Sequence, residues 1–168
     1  DYNATGLISD NNPATLSTFT VLAAEPVGLQ LLMPGQTALP GSGSYLTGPP
    51  YGGFSGDISS ATAGSTFTVT VNLVDRFMNL APPDCASGCP IVSVTSNDPY
   101  ASNGLTGALN ASGAVNIANF RLLRKSSVAV VSADLTVADP ICSDNPPAVN
   151  LCHTGAAVTA KFKVFASS

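Results

Sequence analysis

Hydrophobic and polar residues alternate with a period of two in the clearest segments of the chain. In residues 66–73 every second residue is apolar, and the residues between them are Thr or Asn. Residues 158–164 show the same pattern, with Lys161 and Lys163 at polar positions. This alternation predicts half-buried β-strands with one face on a core. The two lysines on the outward face would also discourage unwanted pairing at a sheet edge.

Further strand candidates are runs of aliphatic and β-branched residues separated by Gly, Pro, Asn and Asp. They are Leu16–Leu22, Val27–Met33, Ile91–Thr95, Ala114–Leu122 and Ser127–Val137. No stretch combines a helical period with capping residues at its ends. About seven short strands punctuated by turn residues predict an all-β sandwich or barrel.

A partial internal repeat divides the chain. Residues 8–14 read ISDNNPA and residues 141–148 read ICSDNPPA, and each is followed by a strand candidate ending in Phe-x-Val-(Leu/Phe)-Ala. We interpret both as the last strand of a module with its lead-in. The chain then holds one sandwich, residues 27–168, and an N-terminal extension, residues 1–26, whose strand completes a neighbouring module. The strand residues predicted to contact that neighbour are Leu16, Phe19, Val21 and Leu22.

Four segments resemble a known family through their order and spacing. They are GLQLLMPGQ (28–36), AGSTFTVTV (63–71), VDRFMN (74–79) and VTSNDP (94–99). The chain resembles the tandem bacterial immunoglobulin-like (Big-type) repeats of large surface and secreted proteins, and VDRFMN is similar to their aVDayGN signature. The resemblance covers residues 27–138. It implies an immunoglobulin-like antiparallel β-sandwich, here with an extra N-terminal strand, and it supplies no catalytic residues.

Composition indicates an extracellular setting. Charged residues make up 10% of the chain, against about 25% in average soluble domains. The apolar fraction of 45% suffices for a core, and the net charge is -4. A surface so poor in charge suits an ordered assembly in which copies share surface. The chain begins without Met, which we interpret as a processed or excised product.

Charge and hydropathy also exclude two classes of partner. The closest group of cations, Arg121, Arg124 and Lys125, is too small to displace counterions from nucleic-acid phosphates. No run of 18 apolar residues occurs, so we expect no membrane span.

The four cysteines form two local pairs in sequence, Cys85 with Cys89 and Cys142 with Cys152. Four cysteines allow three connectivities. The turn-rich residues within each pair favour two local disulfides, which implies an oxidising compartment. A zinc site is the alternative, but it would need spacing of the Cys-x2-Cys type, and Cys-x3-Cys with Cys-x9-Cys fits poorly.

The segment 34–60 is long for a loop and contains seven Gly and four Pro. Long loops in compact domains are often functional. Its aromatic residues Tyr45, Tyr51 and Phe54 suggest a surface for carbohydrate or for a protein partner. The alternative is an ordered loop that its aromatic residues pin over the sandwich.

Catalysis and cofactors have little support in the residues. His153 is the only histidine and Glu25 the only glutamate. No Gly-x-Ser-x-Gly elbow occurs, and a glycosidase pair would need aspartates. We therefore expect no enzyme activity and no cofactor.

Two kinds of modification or ion site remain as weak candidates. Asp75, Asp98, Asp134 and Asp139 lie near predicted strand ends, where calcium sites between modules are often built, although turn-forming aspartates explain them better. The sequons at Asn3 and Asn110 are possible glycosylation sites.

These observations predict an extracellular or cell-surface structural protein. Copies would join head to tail by strand complementation into a filament, a pilus-like fibre or a stalk. Copies of the chain itself are the expected partners, as a homopolymer or a tandem array. The alternatives are a cell-adhesion module that binds surface glycans or protein, and a passive spacer domain of a secreted enzyme.

Overall fold

A computed structural model of the 168-residue chain describes residues 20–44, 52–86, 88–136 and 158–166, with the backbone alone for 158–163. Within these residues the fold is all-β. The strands are β1 (Gly28–Leu32), β2 (Thr37–Ala38), β3 (Phe54–Ser55), β4 (Ala61–Thr62), β5 (Thr66–Val74), β6 (Ile91–Ser96), β7 (Leu105–Ala108), β8 (Ala114–Arg121), β9 (Ser126–Leu135) and β10 (Val158–Phe165).

Two sheets form an immunoglobulin-like sandwich. One sheet has the order β1-β5-β8 and the other has the order β4-β10-β9-β6-β7. All pairings within them are antiparallel except that of β4 with β10. The central orders match strands A-B-E and G-F-C of immunoglobulin domains. The short strands β2 and β3 pair separately as a hairpin inserted between β1 and β4.

The core lies between the inner faces of these sheets. Alternate residues of β5, β6 and β9 are almost fully buried, including Val69, Val94 and Val131. Phe120 of β8 is also fully buried, and its ring packs edge-on against Phe67 with the centroids 5.5 Å apart. A period of two places apolar side chains on one face of each sheet, and the two apolar faces pack against each other to form the core.

The strands run between two ends of the sandwich. The N pole is the end where β1 and β6 begin, and it includes residues 20–27, the connection 75–90 and the end of β9. The C pole is the opposite end, where β10 finishes, and it includes the connections 56–65, 97–104 and 122–125. Residue 20 and residue 166 therefore belong to opposite ends of the module.

The all-β prediction is confirmed, and most predicted strands match observed ones within one or two residues. The strand predicted at Leu16–Leu22 has no counterpart among the described strands. Residues 16–19 lie outside the described residues, and residues 20–22 belong to no strand. Sequence analysis missed β7 and the two-residue strands β2, β3 and β4. The division at residues 26 and 27 stays a prediction, and β1 begins one residue after it.

We expect Phe120→Ala to lower the free energy of unfolding by about 3–5 kcal/mol, because it removes a fully buried ring and leaves a cavity beside Phe67. Urea titration of both proteins measures this. The control is Tyr100→Ala, whose ring is 68% exposed and should change stability by less than about 0.5 kcal/mol. Equal effects of the two substitutions would contradict this description of the core.

Candidate functional site

The residues that lead into β1 expose two large apolar side chains. Val21 is 79% exposed and Leu22 is 82% exposed. Their counterparts in the C-terminal copy of the internal repeat are Val164 and Phe165, at the end of β10. Val164 is only 2% exposed and belongs to the core. Phe165, the counterpart of Leu22, is 51% exposed, so the contrast in burial rests on Val21 and Val164. The motif belongs to strand β10 at one end of the chain, whereas residues 20–22 belong to no strand.

A buried carboxylate ties this lead-in to the N pole. The backbone N–H of Ala24 donates to Oδ2 of Asp75 at 3.0 Å. Three residues later, the N–H of Val27 donates to the carbonyl of Val74 at 2.9 Å. The lead-in is therefore fixed to the module from Ala24 onward, while Val21 and Leu22 project beyond the anchored part.

Asp75 also shapes the turn that follows β5. Its Oδ1 accepts hydrogen bonds from the backbone N–H groups of Phe77 (2.8 Å) and Asn79 (2.9 Å), and Oδ2 accepts one from Nδ2 of Asn79 (2.9 Å). Burial acts to raise the pKa of the Asp75 carboxyl, but the hydrogen bonds from Asn79, Ala24 and Phe77 outweigh it and hold the pKa below its ordinary value of 3.8. The carboxylate stays ionised inside the N pole.

Asp98 plays the matching part at the C pole. Its Oδ2 accepts from the N–H groups of Leu123 (2.7 Å) and Arg124 (2.8 Å), and its Oδ1 accepts from Tyr100 (3.0 Å). Burial acts to raise this pKa as well, and the hydrogen bonds, helped by the charge of Arg124, lower it. Asp98 thus joins the connection after β6 to the one after β8.

These contacts bear on the calcium candidates. The oxygens of Asp75 and Asp98 are already occupied by N–H donors, as in turn-forming aspartates. Asp134 is half-buried near the end of β9, and Asp139 lies outside the described residues. The described part of the chain contains no group of three or more His, Cys, Asp or Glu side chains placed to hold a metal ion.

The inserted hairpin covers the outer face of the three-stranded sheet. Nε2 of Gln30 donates to the carbonyl of Gly53 at 2.8 Å, and Nδ2 of Asn72 donates to Oε1 of Gln30 at 3.1 Å. Both polar side chains are buried, at 5% and 7% exposure. The polar face of β5 is therefore only partly solvated, because the insertion shields Asn72 from water.

Gly53 makes this close approach possible. Its φ is +77°, and a Cβ added there would meet the Cβ and Cγ of Met78 at 2.5 Å. The neighbouring Phe54 is 39% exposed. Tyr45 and Tyr51 lie outside the described residues. The described part of the insertion is thus pinned to the sandwich, and it still presents an aromatic ring.

The Cys85–Cys89 disulfide is confirmed, and it closes a tight loop in the connection between β5 and β6. Cys142 and Cys152 lie outside the described residues, as do Asn3, Leu16, Phe19 and His153. Asn110 is exposed in the turn before β8, and its Oδ1 accepts from the N–H groups of Ser112 and Ala114.

Several strands have an open edge within the described residues, including the outer strands β1, β7 and β8. Strand β8 pairs with β5 on one side, and no described strand pairs with its other side. Strand β10 pairs with β9 along most of its length, whereas β4 covers only Val164 and Phe165 on the opposite side. Beside β4, a cleft of about 240 Å³ opens at the C pole and is lined in part by Met33, Ala61 and Phe67.

Sequence reasoning missed the role of Asp75 as an anchor for the lead-in. The signal was present in VDRFMN, where an Asp precedes an Asn by four residues at a strand end. Its partner Ala24 lies 51 residues away and carries no polar side chain. A backbone donor of this kind leaves no mark in sequence.

No helix in the described ranges is long and apolar enough to cross a bilayer. Compared with known protein families, curated proteins and solved structures, the chain shows no match to any of them.

We expect Asp75→Asn to lower the free energy of unfolding at neutral pH by about 1–3 kcal/mol, because an amide cannot accept all of the hydrogen bonds that converge there. Since the folded-state pKa lies below 3.8, the native carboxylate stabilises the fold above that pH. The contribution is lost as the pH falls from there through the lower folded-state pKa.

Urea titrations from neutral to acidic pH measure this. The difference between the native protein and Asp75→Asn should shrink as the pH falls below 3.8. Asp57→Asn, at an exposed position, is the control and should stay within about 0.5 kcal/mol of the native protein. A difference that does not change with pH would show that ionised Asp75 does not supply the stabilisation.

Proposed function

We propose that this protein is a structural module of an extracellular or cell-surface fibre or stalk, in which copies join head to tail by strand complementation. The observation that carries the proposal is the exposure of Val21, 79%, against the burial of its counterpart Val164, 2% exposed. Burying a side chain of this size is worth about 1.5–3 kcal/mol. The lead-in therefore has the composition of a last strand without a sheet in its own module.

The open edges provide a place for such a strand. Unpaired backbone groups of a sheet edge are satisfied when another chain adds a strand. Along β10, the stretch Val158–Lys163 pairs on one side only within the described residues. A lead-in added there would run parallel to β10, as β4 does, and would leave at the C pole beside the cleft.

The positions of residues 20 and 166, at opposite poles, support a linear assembly. The lead-in enters its own module at the N pole, and β10 ends at the C pole. A contact between unlike poles is heterologous, and repeated contacts of this kind extend into filaments. The Big-type resemblance, the Cys85–Cys89 disulfide and the low charge content agree with an extracellular location. This role requires no catalytic residue and no cofactor.

A glycan- or protein-binding adhesin module is the second candidate. It rests on Phe54, which is exposed on a hairpin that Gln30 and Gly53 hold in place. An exposed aromatic ring on a rigid support can stack on a sugar face. Both functions can coexist, because the hairpin lies on a side of the sandwich and assembly uses the poles.

Replacing Val21 and Leu22 by Ser should abolish fibres while leaving the sandwich folded. Both side chains are at least 79% exposed in the single module, so the free energy of unfolding should change by less than about 0.5 kcal/mol. Electron microscopy and sedimentation velocity measure assembly, and urea titration measures folding. Removal of residues 1–23, which keeps Ala24 and its bond to Asp75, should have the same effect.

The matched control is Phe54→Ser, which removes an exposed apolar side chain away from the lead-in and should leave fibres unchanged. Fibres formed by the Val21→Ser, Leu22→Ser protein at native yield would refute strand complementation by this segment.

For the second candidate, we expect replacement of Tyr45, Tyr51 and Phe54 by Ala to remove glycan-array or cell binding without affecting assembly. The Val21→Ser, Leu22→Ser protein is the reciprocal control, since its hairpin is intact. Unchanged binding after the three aromatic replacements would rule out this surface as the ligand site.

A further inference from the structure

The charged side chains that the structure describes are confined to the poles. At the N pole are Glu25, Asp75, Arg76, Asp84 and Asp134, and at the C pole are Asp57, Asp98, Arg121, Arg124 and Lys125. The walls of the sandwich are the strand surfaces between the two poles. Their described outward positions carry mainly Thr, Ser, Asn and Ala. Lys161 and Lys163 lie in the part of β10, residues 158–163, for which only the backbone is described.

The two poles have opposite net charge once the buried groups are set aside. Asp75 and Asp98 are buried, and hydrogen bonds from N–H groups stabilise their ionised carboxylates inside the fold. Among the described residues, the exposed or half-buried charges left at the N pole are those of Glu25, Asp84 and Asp134 against one cation, Arg76. That cation lies over the ring of Phe77, 4.6 Å from its centroid.

The C pole has the reverse balance. Within the described part of the chain, its exposed cations are Arg121, Arg124 and Lys125, and its exposed acid is Asp57. Because opposite charges on facing surfaces steer association and suppress wrong partners, an acidic and a basic pole favour contact between unlike ends of two copies. Contact between two like poles would bring like charges together.

Each pole also exposes apolar side chains beside its charges. These are Phe77, Leu80 and Ile91 at the N pole, and Tyr100, Leu123 and Phe165 at the C pole, all at least 38% exposed. An apolar centre with a charged rim is the usual composition of a specific protein interface.

We infer that the basic C pole of one copy docks on the acidic N pole of the next, so that charge sets the polarity of the assembly. The inference rests on the proposed head-to-tail function and adds a second contact to the donated strand. The occupant of each pole is another copy of this chain. The donated strand leaves its host at the C pole and enters its own module at the N pole, so the two contacts are continuous.

Two charge-reversed proteins test the inference. The first carries Arg121→Glu and Lys125→Glu, which makes its C pole acidic, and Arg124 is kept because it neighbours Asp98. The second carries Glu25→Lys and Asp84→Lys, which makes its N pole basic. In each protein alone, like charges face each other at every junction. The association constant measured by sedimentation should fall by about tenfold or more at low salt.

An equimolar mixture of the two proteins should restore assembly, because every junction in an alternating fibre is again between opposite charges. A single chain with all four substitutions should also assemble. Raising the salt concentration from about 0.05 to about 0.5 M should weaken native assembly. It should also reduce the difference between the association constants of the native protein and the two reversed proteins. The control, Thr106→Glu with Ala118→Glu, adds acid to the walls and should assemble as the native protein does.

Asp84→Asn separates charge from local structure, because Oδ1 of Asp84 accepts from the N–H of Ala86 at 2.9 Å and an amide oxygen keeps that bond. Native-like assembly of both reversed proteins alone at low salt, or no recovery on mixing, would overturn the charged junction and leave the strand-based function standing. A native chain that stays monomeric at low salt would instead overturn the proposed function, and the junction with it.

Discussion

Each pole of the sandwich is organised by one buried carboxylate. Burial of an ionised group is costly unless hydrogen bonds replace the lost water. Asp75 meets this condition with donors from Ala24, Phe77 and Asn79, and Asp98 meets it with donors from Tyr100, Leu123 and Arg124. Because these donors come from separate connections, each carboxylate can only be satisfied when those connections are correctly placed. The apolar core fixes the strands, and these two side chains fix what the strands present at their ends.

The Asp75 turn also determines what covers the outer face of the sheet. It places Met78, with φ of 64°, beneath the inserted hairpin, and the carbonyl of Phe77 accepts from the N–H of Gly41. The hairpin then buries Gln30 and Asn72, which satisfy each other and the carbonyl of Gly53. The lead-in, the turn and the insertion are consequently one connected unit at the N pole.

Most strand positions could be predicted from sequence, because β5 and β10 alternate apolar and polar residues and the other long strands are aliphatic runs bounded by turn residues. The strand β7, with the sequence LTGA, offers no such pattern, and its place depends on pairing with β6. The burial of Asn72 could not be predicted, because the covering residues come from an insertion whose path depends on a hydrogen bond to Gln30. The two anchoring aspartates were identified as turn residues, but their long-range partners are backbone groups that composition does not reveal.

Strand donation and charged poles contribute to assembly in different ways: the strand stabilises a junction, and the charges orient the two copies. A donated strand contributes backbone hydrogen bonds and buried apolar surface, which stabilise a junction once it has formed. Backbone pairing is almost independent of sequence, so an open edge accepts many strands, including the wrong ones. Charge acts over about 8 Å at physiological salt and therefore orients the poles before any strand is inserted. Only 10% of the residues in the chain are charged. Because the described charges lie at the two poles, most of the charge is placed where it can select the partner. The described side chains between the poles are uncharged and have little means of attracting a third copy from the side.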